Sequence, residues 1–235
     1  LSLKVTTFSS KGRVTRIYGY KTKRIHHIQS DNQLRVFLIL EWNESVKDIE
    51  ENVELKDLEI IINDVENLRL DKFTDKETGK LYQLHTNFLV TIKRSNIEEQ
   101  VAISVKGLSE LKRKTVIEKM EIERRYWNSK GILFYVVTEK QIDKQFVDNI
   151  KWVRETLMDR GIKDKRELAE SLCYFLQENR ERKLNEVLEK FDTNVGANEG
   201  TALFIFRYLI GIKEIAVDME KSINLDEIIS ILIKF

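Results

Sequence analysis

Lys106 closes a short alternating stretch, residues 101–107 (VAISVKG), in which Val101, Ile103 and Val105 alternate with Ala102, Ser104 and Lys106. A period of two predicts a half-buried strand with a polar edge near its end. A lysine projecting from a buried strand is costly unless another group uses it. A second apolar run, residues 87–92, opens on Asn87. Ahead of it a helix pattern opens SDNQLRVFLIL, with Gln33 in its first turn. Polar groups on strands converging on one lysine would suit metal-assisted phosphodiester hydrolysis. In that chemistry a metal activates water and stabilises the departing oxygen. Mg²⁺ takes hard oxygen ligands, usually including one or two carboxylates, and a lysine steadies developing charge. The carboxylates are missing, because the expected positions read Gln33, Asn87 and Ser104. Plainer readings stay open: Gln33 as a capping residue, Asn87 as a strand-start residue and Lys106 as an edge lysine.

Other chemistries find no pattern. The chain has no phosphate-binding glycine loop, no G-x-G-x-x-G, no G-x-S-x-G and no Cys/His metal cluster. His26, His27 and His85 have no cysteine partners at ligand spacing, which argues against zinc. At 235 residues, 42% apolar and net charge +1, the composition is that of an ordinary soluble protein of one large or two small domains. No window approaches eighteen apolar residues, so no membrane span is expected. No signal-peptide pattern opens the chain. One cysteine, Cys173, cannot form an internal disulfide, which fits a reducing cytoplasm. The chain starts at Leu1 rather than Met, as a fragment or processed product would.

The near-zero net charge hides an asymmetry. Residues 1–30 carry Lys4, Lys11, Arg13, Arg16, Lys21, Lys23 and Arg24 and no acid, a net +7, whereas residues 41–59 sum to −6. The basic arm is interleaved with Tyr18, Tyr20, His26 and His27, which suits contact with nucleic-acid phosphates. A solvated terminal segment is the alternative.

The elements follow from punctuation and period. Residues 1–29 read as an irregular or extended arm with turns at 9–12 and Gly19. Ser30-x-x-Gln33 fits a capping box ahead of a nearly all-apolar helix closed by Glu41 and Trp42. Residues 45–53 read as a strand, and Leu55, Leu58, Ile61, Val65 and Leu68 follow helical spacing. Residues 71–80 form a charged turn. Two strands, 81–92 and 99–106, join as a hairpin through 94–96. Ser109 is expected to cap a long helix reaching Lys130 and stopped by Gly131. Residues 132–138 (ILFYVVT) read as a central strand. This order predicts an α/β sheet domain ending near residue 140, a helix over 142–157 leading out and a boundary at Gly161. Helices over 165–176, 184–191 and 201–210, then a small hairpin over 212–224, predict a mainly helical, winged-helix-like remainder. A final amphipathic segment over 224–235 either covers its own domain or docks on a partner.

Longer stretches carry more than spacing. FSSKGRVTRIYGYKTKRIHHIQSDNQ, then FLILEW…SVKDI, TNFLV, AISVK and EKMEIERRYW, resemble the TnsA family, the end-cleaving endonuclease subunits of heteromeric cut-and-paste transposases. The match runs from about Phe8 to Ile150, and its motifs (HHxxSD, LEW, ERRYW, VTEK) are specific to that family; the C-terminal part matches more weakly. The resemblance implies a restriction-endonuclease-like mixed sheet with flanking helices over 31–158. It further implies a winged-helix-like domain over 159–235, with the arm over 1–30. It also implies Mg²⁺-dependent cleavage at the 5′ ends of a transposon, with transposon-end DNA, a TnsB-type transposase and a TnsC-type AAA+ regulator as partners. The family's catalytic and metal-binding set is a glutamate in HHxxSDxE, an aspartate in TDFLV, a glutamine two residues before a lysine, and that lysine. These fall on Gln33, Asn87, Ser104 and Lys106, so three of four depart and both carboxylates become amides. Glu123, in the ERRYW helix, is matched in the family and would stand behind the ligands; a solvated helix carboxylate beside Arg124 or Arg125 is the alternative. An inactive nuclease is therefore expected. The alternatives are a restoring carboxylate elsewhere, or an adaptor that keeps the nuclease fold as a scaffold for DNA or the regulator.

Overall fold

The structure is a computed structural model that describes residues 14–62, 64–95, 97–158, 162 and 164–234. Lys11, Arg13, the expected turn at 9–12 and Gly161 lie outside the described residues. The chain divides into two compact units, Leu1–Ile142 and Asp143–Phe235.

The first unit opens on an antiparallel ribbon, β1 (Thr15–Tyr18) and β2 (Ile25–Ile28). The expectation of an irregular arm is thus corrected for residues 15–28. Alternation explains the ribbon, since His26 and Ile28 are buried while Ile25 and His27 face out. Gly19 makes the turn, where a Cβ would strike the Thr22 hydroxyl and stand 2.9 Å from His26 Nε2. Helix α1 (Asp31–Trp42) follows. Ser30 Oγ accepts the Gln33 N–H at 3.2 Å, as a cap should. The capping box closes one residue early, for Gln33 Oε1 takes the N–H of Gln29 at 3.1 Å rather than that of Ser30. Val36, Phe37 and Leu38 are buried, as is Glu41, whose carboxylate accepts the Tyr20 N–H at 2.6 Å and so ties helix to ribbon.

Strands β3 (Val46–Glu54), β4 (His85–Arg94), β5 (Ile97–Val105) and β6 (Leu133–Val137) form one sheet in that spatial order. The first three are antiparallel neighbours, and β6 runs parallel to β5. After β3 the helix expected to Leu68 is a single turn, α2 (Leu58–Ile61), and a separate 3₁₀ turn follows at Leu70–Phe73 ahead of β4. Asn67 sits in the left-handed region, which a continuing helix cannot accommodate. The apolar spacing there serves packing instead: Leu55, Leu58, Ile62 and Leu84 join the core with Leu89, Ala102, Ile122, Tyr126 and Trp127. The last three residues belong to α3 (Lys114–Ser129). It starts after a separate 3₁₀ turn at Glu110–Lys112, so Ser109 does not cap it. Gly131, with φ +69°, stops it as expected.

With α1 on one face and α3 on the other, residues 101–105 of β5 are buried throughout, correcting the half-buried reading. Conversely, β6 is an edge strand and not a central one, with Leu133 and Tyr135 more than half exposed.

The second unit is mainly helical: α4 (Lys144–Met158), α5 (Lys165–Glu178), α6 (Leu184–Val195), α7 (Thr201–Gly211) and a single turn, α8 (Ile229–Leu232). The apolar α7 is its centre, burying Ala202, Ile205, Phe206, Leu209 and Ile210 against α4, α5 and α6. Asp192 caps α7 by accepting the N–H groups of Gly200 and Ala202 at 2.8 and 2.7 Å. Helix α4, read from sequence with the sheet domain, packs here through an apolar face that includes Val147, Ile150 and Val153. The hairpin expected over 212–224 is replaced by two single bridges, Lys183↔Ile228 and Ala216↔Lys234. The last segment is only partly helical and buries Ile229 and Ile233. Among the described residues no helix is long and apolar enough to cross a membrane.

Candidate active site

Where β4 and β5 stop pairing, at Phe88↔Ile103, the Asn87 side chain continues the ladder. Its Oδ1 accepts the Val105 N–H at 2.7 Å and lies 3.5 Å from Ser104 Oγ, which is fully buried. A backbone N–H can meet only the amide oxygen, so the orientation of the amide is fixed. Nδ2 is left over and has no hydrogen-bond partner among the described residues. Gln33 repeats the arrangement, with Oε1 held by the Gln29 N–H and Nε2 left over. Helix α1 packs on β5, but no hydrogen bond among the described residues joins Gln33 to Asn87, Ser104 or Lys106.

Lys106 follows Val105 directly. Its N–H continues the pairing to the Val137 carbonyl at 3.0 Å, while its ammonium makes no hydrogen bond or ion pair among the described residues. Burial pushes the Lys106 pKa down. The Glu123 carboxylate pulls it back up, nearby Lys119 adds to the depression, and Glu110 opposes it.

Behind this edge lies a connected set that sequence reasoning reached only at Glu123. Trp127 Nε1 donates to Thr86 Oγ1 at 2.8 Å, and that hydroxyl donates to Glu123 Oε2 at 3.0 Å. Thr86 and Glu123 are fully buried and Trp127 nearly so. The other oxygen, Glu123 Oε1, has no hydrogen-bond partner among the described residues, and Lys119 Nζ stands 3.5 Å from it while donating to the His85 carbonyl at 2.9 Å. Burial lowers the His85 pKa, with Glu54 opposing. Thr86 sits in TNFLV and Trp127 in ERRYW, but no spacing in the chain pairs a strand hydroxyl with an indole forty-one residues later.

These residues do not fit a divalent cation. Two uncharged amides, each accepting a backbone N–H, stand where carboxylates are expected. The buried carboxylate, Glu123, already faces the Lys119 ammonium at 3.5 Å. Among the described residues no three His, Cys, Asp or Glu side chains could hold a metal together. Mg²⁺ needs oxygen donors and a negative site.

The basic ribbon is less uniform than its sequence. Arg16 and Lys23 are exposed; Arg16 pairs across the strands with His27, and Tyr18 with Ile25. Lys21 instead donates to the carbonyls of Asn43, at the end of α1, and Val46. Arg24 donates to the Ile49 carbonyl and stands 3.6 Å from Asp48. His26, buried, places Nδ1 2.6 Å from Glu51 Oε2 and Nε2 2.6 Å from Thr22 Oγ1, with its ring centroid 4.7 Å from that of Phe37. Burial raises the Glu51 pKa, but the hydrogen bonds from His26 and the His27 N–H outweigh it, so the net shift is downward.

Two family models match. One, described as TnsA-like endonuclease N terminal, covers residues 43–139; the other, TnsA endonuclease C terminal, covers 141–219. The chain is also similar to the Transposon Tn7 transposition protein TnsA of Escherichia coli, 33% identical over 209 residues, which are 88% of this chain and 74% of that protein.

Proposed function

The chain belongs to the TnsA family of endonucleases, and we propose that it is a transposase subunit for the 5′ ends of a transposon that does not cut them as its sequence stands. The observation that carries this reading is the fate of the two carboxylate positions. Gln33 and Asn87 keep the shape of Glu and Asp, lack their charge, and hold their oxygens on the Gln29 and Val105 N–H groups. Without those ligands the Mg²⁺ that the family uses has no seat, and Lys106 has no metal-bound water to orient. Ser104, at the family's glutamine position, supplies only a buried hydroxyl.

The rest of the family's equipment supports continued service on DNA. The proposed phosphate contacts are Lys11, Arg13, Arg16 and Lys23. Lys21 and Arg24, proposed from sequence with them, hold carbonyls of the fold and stand second. The proposed partners are transposon-end DNA, a TnsB-type transposase that handles the 3′ ends, and a TnsC-type regulator that meets the mainly helical C-terminal unit. The same absence of carboxylates favours a second reading, an adaptor in which the nuclease unit binds and does not cleave.

The test is strand cleavage of a plasmid bearing transposon ends, with Mg²⁺ and the partner transposase. No nicking is expected from the unaltered chain, and nicking is expected from Gln33→Glu/Asn87→Asp. Nicking by the unaltered chain that Lys106→Ala abolishes overturns the proposal.

A further inference from the structure

The two edges of the sheet are finished differently. At one edge β3 carries Lys47, Asp48, Glu50, Glu51 and Glu54, charges of the kind that keep an exposed strand from pairing with another chain. At the other edge residues 131–138 (GILFYVVT), which include β6, hold no charge and no proline. Among the described residues no strand lies beyond β6. The charges next to it are turned elsewhere, Lys130 over the Tyr126 ring at 4.8 Å and Glu139 to the Leu108 N–H.

The open edge is also laid out symmetrically. Val137 gives its carbonyl to the Lys106 N–H at 3.0 Å. Alternation therefore turns the backbone polar groups of Leu133, Tyr135 and Val137 towards β5 and those of Phe134 and Val136 outward. Phe134 and Val136 straddle Tyr135. An antiparallel copy centred on Tyr135 would set Phe134 opposite the second copy's Val136, and the reverse, so that both pairs exchange N–H···O bonds. Tyr135 would then face itself in the closely spaced position between them, with Leu133 opposite Val137. Leu133 and Tyr135, 61% and 52% exposed, would gain the cross-strand partners they lack, while Phe134 keeps its place against the core beneath α3.

We infer that β6 pairs edge to edge with the β6 of a second copy of this chain, antiparallel about a two-fold axis through Tyr135, so that two four-stranded sheets become one. An uncharged strand meets its own copy without like-charge repulsion, and a two-fold contact closes on itself at two copies. One strand pair is a small contact, so the dimer is weak and forms with rising concentration. The pairing is independent of whether the site cuts DNA.

The experiment is sedimentation velocity of the full chain up to about 0.1 mM, beside disulfide trapping. A monomer–dimer equilibrium is expected. Tyr135→Lys places two ammonium groups opposite each other at an exposed position and is expected to weaken the dimer about tenfold, while Tyr135→Phe retains it. Trapping uses Cys173→Ser as background. Tyr135→Cys is expected to give a covalent dimer under mild oxidation, because facing residues of such a pair lie about 4.5 Å apart at Cα, within disulfide reach. Leu133→Cys is expected to give none, its own copy lying roughly 14 Å away along the ribbon. A chain that stays monomeric to about 0.1 mM overturns the inference and leaves the edge to an extended segment of another protein. A dimer that Tyr135→Lys does not weaken and Tyr135→Cys does not trap overturns it as well. Trapping through Leu133→Cys as readily as through Tyr135→Cys would overturn the two-fold register.

Discussion

Thr86→Val is the sharpest perturbation of the buried network, because valine keeps the shape and removes one hydroxyl that serves two partners. In the folded chain that hydroxyl accepts from Trp127 Nε1 at 2.8 Å and donates to Glu123 Oε2 at 3.0 Å, with all three residues buried. Its loss leaves an indole N–H without an acceptor, at about 1–3 kcal/mol, and takes a donor from a carboxylate whose other oxygen already lacks one, at somewhat more. A total of about 3–5 kcal/mol is expected. Trp127→Phe removes the N–H but keeps the Thr86–Glu123 bond, and should cost about 1–2 kcal/mol. In the double variant valine no longer orphans the indole, so the combined loss should fall short of the sum by about 1–2 kcal/mol. Urea unfolding followed through hydrogen exchange of the β5 amides, which lie beneath α3, reads all three variants in the right unit. Additivity within about 0.5 kcal/mol would refute the relay and leave three independent packing residues.

The depressed Glu51 carboxyl stabilises the fold above its ordinary value of 4.5, and that contribution is lost as pH falls through the lower folded value. Glu51→Gln should therefore lose stability at neutral pH and show a shallower decline in acid, measured as the urea midpoint against pH; parallel curves would contradict this. Gly19→Ala should destabilise the ribbon by about 1–3 kcal/mol, because its Cβ would displace Thr22 from His26; an unchanged thermal midpoint would show that Thr22 moves freely. Ser30→Ala should cost about 1 kcal/mol through the lost cap on the Gln33 N–H, read by the same melt. Truncation after Ser222 removes the partners of Lys183 and Ala216 together with buried Ile229 and Ile233, so the C-terminal helices should lose their cooperative melt by circular dichroism. A folded truncated chain would return the last segment to the docking reading.

What the sequence disclosed was mostly local. Ser30 and Gly131 ended their helices where capping chemistry places them, and the β4–β5 hairpin followed from alternation around a polar turn. What failed depended on neighbours. The apolar run of β6 does not reveal that the sheet ends there, and helical spacing over 55–68 is equally served by an irregular segment pressed beneath α3. Charge alone likewise could not separate Lys21 and Arg24, whose side chains hold carbonyls of the fold, from Arg16 and Lys23, whose side chains make no such bond among the described residues. At the site, Gln33, Asn87, Ser104 and Lys106 came from motif likeness. The turn of each amide, the burial of Lys106 and the Trp127–Thr86–Glu123 chain exist only once strands and α3 are brought together.

Whether two amides close this site to metal is read out by Mn²⁺ titration followed by electron paramagnetic resonance. No specific Mn²⁺ binding is expected from the unaltered chain, and one or more ions are expected to be held by Gln33→Glu/Asn87→Asp. Specific Mn²⁺ binding by the unaltered chain that Glu123→Gln removes would contradict this expectation.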